Sequence, residues 1–223
     1  MNPSTDFVPF ALPSLGPEEE EAVLEVLRSG WLTTGSVALQ FEREFASFVG
    51  TEHALAVNSA TSGLHLALEA LGVGPGDTVV TSPYTFASTA AVARHLGAEV
   101  AFCDVIPGGY NMDPRRLEEV LASTRNVKAV VPVHVGGLPC SMPEILDLAR
   151  RYGCAVVEDA AHSFPSRLPG GFAGTLGDIG VFSFYATKTI TTGEGGMVVT
   201  SDSRLAKRMS VMRMHGIDKP VWD

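Results

Sequence analysis

The sequence predicts a layered α/β domain with a mostly parallel central sheet. Short runs rich in β-branched residues alternate with helix-like stretches along the 223-residue chain. This order is typical of parallel strands joined by crossover helices. Several runs are apolar throughout rather than alternating, as expected for strands that are covered on both faces. We therefore expect a three-layer sandwich around a sheet of about seven strands.

The strand and helix patterns can be followed in order along the chain. The predicted strands are 54–57, 78–81, 99–103, 128–133, 155–158, 180–183 and 197–200. The predicted helices between and after them are 61–71, 85–96, 113–122, 142–152 and 203–214. Two more helices, 17–28 and 38–49, precede the first strand. Pro17 and the glutamates that follow it favour a helix start at the first of these.

Composition and charge exclude several classes of protein. The net charge of -9 argues against a nucleic-acid partner, whose phosphates would be repelled. No apolar run approaches the roughly 18 residues that span a bilayer, and the start lacks a signal-peptide pattern. Cys103, Cys140 and Cys154 are far apart and lack metal-ligand spacing, which favours buried or half-buried thiols of a reducing compartment. We expect a cytoplasmic protein with no metal site and no membrane partner.

The segment 183–196 contains an isolated lysine. Lys188 lies among small, hydroxylated and aromatic residues, and no other charge lies between Asp178 and Glu194. Poor solvation of an ammonium group lowers its pKa, and the neutral amine can form a Schiff base. Ser183, at the end of the preceding strand, supplies a hydroxyl for a phosphate group. The alternative is a lysine on a surface loop.

A second polar cluster ends the apolar strand at 155–158. The carboxylates of Glu158 and Asp159 would be poorly hydrated there, which is costly unless a cation or hydrogen-bond donors meet them. A protonated pyridine nitrogen is such a partner, and the ion pair keeps the ring able to withdraw electrons. A helix cap or a salt bridge would satisfy the same groups. His162 is expected either to contact that ring or to be structural.

Two further loops follow predicted strands. Segment 58–63 opens a helix whose free N–H groups, with the hydroxyls of Thr61 and Ser62, suit a phosphate, although simple N-capping suits the same residues. Segment 81–86 places Phe86 where an aromatic ring can lie on a planar cofactor. Packing in a core is the alternative for this ring.

These segments together resemble the DegT/DnrJ/EryC1/StrS family of sugar aminotransferases, within the fold type I enzymes that use pyridoxal 5'-phosphate (PLP). Each segment is a weak signal alone, but all of them occur in the family's order over nearly the whole chain. The matching segments are 31–35, 58–61, 83–86, 158–162 and 183–197.

The resemblance implies a role for each candidate residue. Lys188 is similar to the family's Schiff-base lysine, and Asp159 to the partner of the pyridine nitrogen. Phe86 resembles the aromatic residue that stacks on the ring, and His162 a residue beside it. The implied cofactor-binding residues are Thr61, Ser62, Phe86, Asp159, His162, Ser183 and Lys188.

The reaction implied by the resemblance is a two-stage transamination, with Lys188 and Asp159 as catalytic residues. An amino donor, expected to be glutamate, converts the internal aldimine at Lys188 into pyridoxamine phosphate. The amine then passes to a keto group on a nucleotide-linked deoxysugar. Thr33 and Thr34 lie in a loop similar to one that lines the family's sugar pocket. The sequence does not specify the nucleotide, the sugar or the carbon that is aminated.

The resemblance also implies a domain organisation. We expect an N-terminal helix and substrate loop at 1–35 and a PLP-binding large domain at 36–223. Family members continue past 215–218 into a small C-terminal domain that helps form a homodimer, and we expect this chain to stop before it. A PLP-binding remnant or interaction protein without turnover is therefore an alternative, and a lyase of the same fold type is another.

Overall fold

A computed structural model describes residues 8–218, and its main feature is a seven-stranded sheet. The strands are β1 (His53–Val57), β2 (Thr78–Thr81), β3 (Glu99–Phe102), β4 (Val127–Val131), β5 (Ala155–Asp159), β6 (Arg167–Leu168), β7 (Gly171–Phe172), β8 (Ile179–Ser183) and β9 (Gly196–Thr200). The sheet has the order β1-β9-β8-β5-β4-β2-β3, and β6 and β7 form a separate hairpin.

The sheet is mostly parallel, as predicted. Strands β8, β5, β4, β2 and β3 pair in parallel from neighbour to neighbour. Strand β9 is antiparallel to both β1 and β8, so β9 alone among these seven runs against the rest. The carboxyl ends of the other six strands therefore meet at one edge of the sheet, where ligands gather in open α/β folds.

Helices cover both faces of the sheet. They are α1 (Pro17–Ser29), α2 (Ser36–Val49), α3 (Ala60–Ala70), α4 (Ala87–His95), α5 (Pro114–Ser123), α6 (Met142–Tyr152) and α7 (Ser203–Arg213). One buried cluster joins α3, α4 and α7 to the sheet, and a second joins α5 and α6 to it. The predicted three-layer arrangement is confirmed.

The apolar strands are explained by this double covering. In β2, Val79 belongs to the cluster under α3 and α4, whereas its neighbour Val80 belongs to the cluster under α5 and α6. Val156 and Val157 of β5 divide between the two clusters in the same way. Successive side chains point to opposite faces of a strand, so a strand with helices on both sides carries consecutive apolar residues, one for each cluster.

A third cluster contains several phenylalanine rings and packs against the end of β8, next to the turn that carries Lys188. Phe45 of α2 packs with Phe182 and Phe184, at ring-centroid distances of 5.1 and 5.6 Å. Because side chains alternate along β8, Ser183 between these two phenylalanines points to the other face of the sheet. This packing anchors the end of β8 and leaves Ser183 on the opposite face, where it lines the cavity described below.

The observed helix and strand bounds differ from the predicted ones by no more than two residues at either end. The β6–β7 hairpin was not predicted. Cys103, Cys140 and Cys154 are free thiols that are buried or half-buried, as expected. Burial raises the pKa of the first two to about 12, which suppresses their reactive thiolate form.

The two predicted domains extend beyond the described part of the chain, since residues 1–7 and 219–223 lie outside it. Within 8–218, helix α1 contains no buried residue. None of the helices in this range is long and apolar enough to cross a membrane.

Candidate functional site

A cavity of about 740 Å³ opens at the carboxyl edge of the sheet. Asp159 and Ser183 are the last residues of β5 and β8, and Thr61 and Phe86 follow β1 and β2. The fold thus gathers side chains from four separate connections. Six of the seven predicted cofactor-binding residues line this cavity, namely Thr61, Phe86, Asp159, His162, Ser183 and Lys188.

The seventh residue, Ser62, lines a larger neighbouring cavity of about 1280 Å³, together with Thr33 and Thr34. The hydroxyl of Ser62 donates to the Asn58 side chain or the Ser59 carbonyl, and its N–H donates to the Ser59 hydroxyl at 3.2 Å. Ser62 therefore takes part in the N-cap of α3. The structure does not bring Thr33, Thr34 and Lys188 into one cavity, but the two cavities share Ser59, Thr61 and Glu194.

Lys188 is half-buried on the turn that follows β8. Its backbone N–H donates to the Tyr185 carbonyl at 2.9 Å, which holds the turn closed. Partial burial lowers the pKa of the Lys188 amine, and the negative charge of Asp159 opposes this shift. The environment therefore favours the neutral, nucleophilic amine more than water does.

Asp159 is 4% exposed and is held by both its backbone and its side chain. Its N–H donates to the Pro132 carbonyl, and its carbonyl accepts from the N–H of His134. In the side chain, Oδ2 accepts from the Thr89 hydroxyl at 2.8 Å and Oδ1 from the Ala161 N–H at 3.2 Å. Within residues 8–218, no lysine, arginine or histidine nitrogen lies within 4.0 Å of this carboxylate. A buried acid thus faces the cavity without a cationic partner.

Glu158, the neighbour of Asp159, has a different environment. It is completely buried and faces away from the cavity because side chains alternate along β5. Its carboxylate accepts from the N–H groups of Gly174, Leu176 and Gly177 at 2.6 to 2.9 Å. It also lies 2.8 Å from Nε2 of His134. The expectation that a cation or hydrogen-bond donors meet each carboxylate is therefore fulfilled for Glu158 by the protein itself. Asp159 has no cationic partner among the described residues.

The hydrogen bonds of His134 define its tautomer. Nδ1 accepts from the Cys140 N–H at 3.0 Å, so in the neutral ring the proton lies on Nε2 and is donated to Glu158. Sequence reasoning missed this buried pair, because His134 follows an apolar strand without any motif around it.

His162 and Phe86 form the sides of the cavity. Desolvation lowers the pKa of His162, the positive charge of Lys188 lowers it further, and Asp159 opposes both effects. The environment therefore favours the neutral form of His162. Phe86 is 75% exposed, so the alternative of core packing does not apply to it. Its ring is free to cover a planar ligand.

The start of α3 forms another wall of the cavity. The first N–H groups of a helix have no intrahelical acceptor, and they attract anions. A Cβ atom at Gly196 would lie 2.9 Å from the Ala60 nitrogen, so only glycine lets β9 pass this close to the helix start. The hydroxyls of Thr61 and Ser183 border the same space. These groups can together bind a phosphate.

The sequence model of the DegT/DnrJ/EryC1/StrS aminotransferase family matches residues 13–223. The chain belongs to this family. The match covers all of the segments on which the resemblance was based, and the predicted family is confirmed.

Relatives with known names agree with this assignment. Spore coat polysaccharide biosynthesis protein SpsC of Bacillus subtilis (strain 168) is 50% identical over 217 residues, which is 97% of this chain and 55% of SpsC. The structure of Spr1654 from Streptococcus pneumoniae in its PLP-form has a TM-score of 0.87 at 30% identity, covering 94% of this chain and 58% of that one. DesI in the presence of its TDP-sugar product has a TM-score of 0.83 at 37% identity, covering 89% and 50%. The chain spans about half the length of these three relatives.

Proposed function

We propose that this chain binds PLP in the 740 Å³ cavity and belongs to an aminotransferase that acts on a nucleotide-linked keto-deoxysugar, with glutamate as the amino donor. One observation carries the proposal. Lys188, an amine with a lowered pKa, and Asp159, a buried acid without a cationic partner, line the same cavity. These are the two groups that a PLP enzyme needs on opposite sides of the ring.

The other residues of the cavity fit the same cofactor. A phosphate fits the start of α3, with hydroxyls from Thr61 and Ser183 nearby. A flat ring would be bordered by the exposed Phe86 and by His162, which both line the cavity. The cavity volume lies within the range of about 300–1,000 Å³ that is usual for small-molecule sites.

When bound, PLP supplies an electron sink that makes transfer of an amino group possible. Lys188 bonds the cofactor through its Nζ atom when the amine is neutral. Once released from the cofactor, the same Nζ can take a proton from one carbon and return it to another. The desolvation that lowers its pKa serves both roles.

Asp159 would hold a proton on the ring nitrogen of bound PLP by presenting a fixed negative charge. Its carboxylate is oriented before the cofactor arrives, because Thr89 and the Ala161 N–H occupy one lone pair on each oxygen. Preorganised charge of this kind needs no rearrangement during the reaction. Phe86 and His162, which line the same cavity, would shield the ring from water.

The substrate class is supported by the relatives and by the second cavity. DesI was solved in the presence of a TDP-sugar product, and SpsC is named for polysaccharide biosynthesis. The larger cavity adjoins the cofactor cavity and includes Thr33 and Thr34, whose hydroxyls can hydrogen-bond sugar groups. We assign the keto-sugar to the junction between the two cavities.

The proposed organisation has an N-terminal helix and substrate loop at 1–35 and a PLP-binding domain at 36–223, in a homodimer. The absence of buried residues from α1 supports its separation from the body of the domain. The homodimer rests on the family alone.

The proposed activity can be tested directly. Purified full-length protein supplied with PLP is incubated with glutamate and a panel of nucleotide-linked keto-sugars, and the products are measured by mass spectrometry. We expect an amino-sugar product from at least one keto-sugar, no product with Lys188→Ala, and unchanged product with Lys207→Ala, a surface control. Formation of 2-oxoglutarate without any amino-sugar would contradict the substrate class. No 2-oxoglutarate and no amino-sugar would contradict the activity.

A further inference from the structure

Thr89 is a buried threonine that touches the candidate acid directly. Its side chain lies within α4 and is 0% exposed, and its hydroxyl donates to Oδ2 of Asp159 at 2.8 Å. We propose that Thr89 is a positioning residue, which orients the Asp159 carboxylate toward the ring nitrogen of the bound cofactor. This inference rests on the proposed function.

The donor and acceptor in each of the two hydrogen bonds of the Thr89 hydroxyl can be assigned from its single proton. A threonine hydroxyl has one proton, and Thr89 gives its proton to Asp159. The Thr85 hydroxyl, which lies 2.7 Å from that of Thr89, must then donate to Thr89. Thr85 also lines the cavity. A chain of two hydroxyls therefore connects the cavity wall to Asp159 Oδ2.

The contacts of Asp159 limit the rotation of its carboxylate. Thr89 holds Oδ2 from α4, and the N–H of Ala161 holds Oδ1 from the loop after β5. The two oxygens are thus tied to different elements. Since each carboxylate oxygen has two lone pairs, one on each remains for a ligand in the cavity.

The hydroxyl of Thr89 is not explained by packing alone. A threonine inside a helix often bonds back to a carbonyl one turn earlier, but here the proton is given to Asp159 in another element, 70 residues along the chain. Valine has the same shape and would fill the buried space equally well. Threonine differs from valine here only by its hydroxyl group, and that hydroxyl is used in the hydrogen bonds with Asp159 and Thr85.

The experiment compares two cofactor probes on three proteins. The probes are PLP and an analogue that keeps the aldehyde and phosphate but has carbon in place of the ring nitrogen. The proteins are the wild type, Thr89→Val and Thr89→Ser, each checked for a native circular dichroism spectrum. The equilibrium dissociation constant of each probe is measured from its absorbance change on binding.

We expect Thr89→Val to bind PLP about tenfold more weakly, because a carboxylate that has lost one of its two restraints must be ordered when the cofactor binds. Its affinity for the analogue should stay unchanged, because the analogue cannot pair with Asp159. Thr89→Ser keeps the hydroxyl and should restore PLP binding. Equal weakening of both probes would show a merely structural role and overturn the proposal, as would unchanged PLP binding or a failure of serine to rescue it.

Binding of the two probes to the wild type shows whether a negative result counts against the role of Thr89 or against the proposed function. If the wild type binds neither probe, the proposed function fails and the positioning role fails with it. If the wild type prefers PLP to the analogue but Thr89→Val keeps the same preference, only the role of Thr89 is overturned.

Discussion

At the scale of single residues, Glu158 and Asp159 show how one strand gives adjacent carboxylates different roles. Glu158 points into the fold and is met by four donors. Asp159 points to the cavity and has two. A carboxylate whose hydrogen-bonding capacity is filled by the protein is structural, and one with unfilled capacity at a cavity can bind a ligand. Because side chains alternate along β5, Glu158 points into the fold and Asp159 points to the cavity.

The pKa of Lys188 leads to a testable pH dependence. Burial penalises the charged amine, so in the folded protein the neutral form appears at a lower pH than the ordinary lysine value of 10.5. We predict that acetylation of Lys188 by acetic anhydride in cofactor-free protein rises with pH through a midpoint below that value. The midpoint should move up when the protein is unfolded in urea, because desolvation is then lost. Peptide mass spectrometry across a pH series measures both midpoints.

The two midpoints are compared within one residue, so the intrinsic reactivity of the reagent cancels. A folded midpoint equal to or above the unfolded one would show that burial does not favour the neutral amine.

Lys188 and Thr89 differ in how far the sequence alone could predict their positions in the site. The half-buried position of Lys188 was predictable because a lone charge among small, hydroxylated and aromatic residues indicates poor solvation. Thr89 was not, since a threonine among alanines and serines in a helix has no distinguishing pattern. Its role depends on a contact with Asp159 that only the folded chain creates.

At the scale of elements, Glu158 joins three parts of the fold. It links β5 to the turn at Gly174–Gly177 that leads into β8, and to His134 after β4. These are the elements that place Asp159 and Ser183 at the cavity. The buried Glu158–His134 pair therefore holds these elements together, although neither side chain lines the cavity.

Replacing Glu158 with alanine should strongly destabilise the protein. Two buried donors, on His134 and Gly174, and two half-buried ones, on Leu176 and Gly177, would lose their acceptor. Each buried donor left unpaired costs about 1–3 kcal/mol, and the losses are not fully additive. We predict a loss of about 3 kcal/mol or more in the free energy of unfolding, measured by urea denaturation. Glu25→Ala on the exposed face of α1 is the control and should change it by less than about 0.5 kcal/mol. Similar small losses for both variants would contradict the structural role of Glu158.

Helices and strands were predictable from the sequence where burial requires a regular pattern of apolar residues. Strands covered on both faces carry consecutive apolar residues, so the valine-rich centres of β2, β4 and β5 stand out in the sequence. The β6–β7 hairpin was not predictable, because two-residue strands are too short to show a period. Helix α4 was predicted to begin two residues too early, since Phe86 serves as its N-cap in an extended conformation.

At the scale of the whole molecule, the topology of the sheet brings the candidate site together. Thr61, Phe86, Asp159 and Lys188 are far apart in sequence, yet all follow or end strands that point to one edge. That these residues share a cavity could be expected from a parallel sheet. The division into two cavities could not, because the positions of α1 and the loop at 31–35 depend on contacts that carry no local sequence signal.

The central claim is that Lys188 and Asp159 hold one cofactor between them, and covalent trapping tests it most directly. Protein supplied with PLP is treated with borohydride, which converts a carbon–nitrogen double bond to a stable amine, and is then digested and mapped by mass spectrometry. We predict a cofactor adduct on Lys188 and none on Lys128 or Lys207, with a weaker yield at limiting PLP in Asp159→Asn. An adduct on another lysine, or none on Lys188, would contradict the claim.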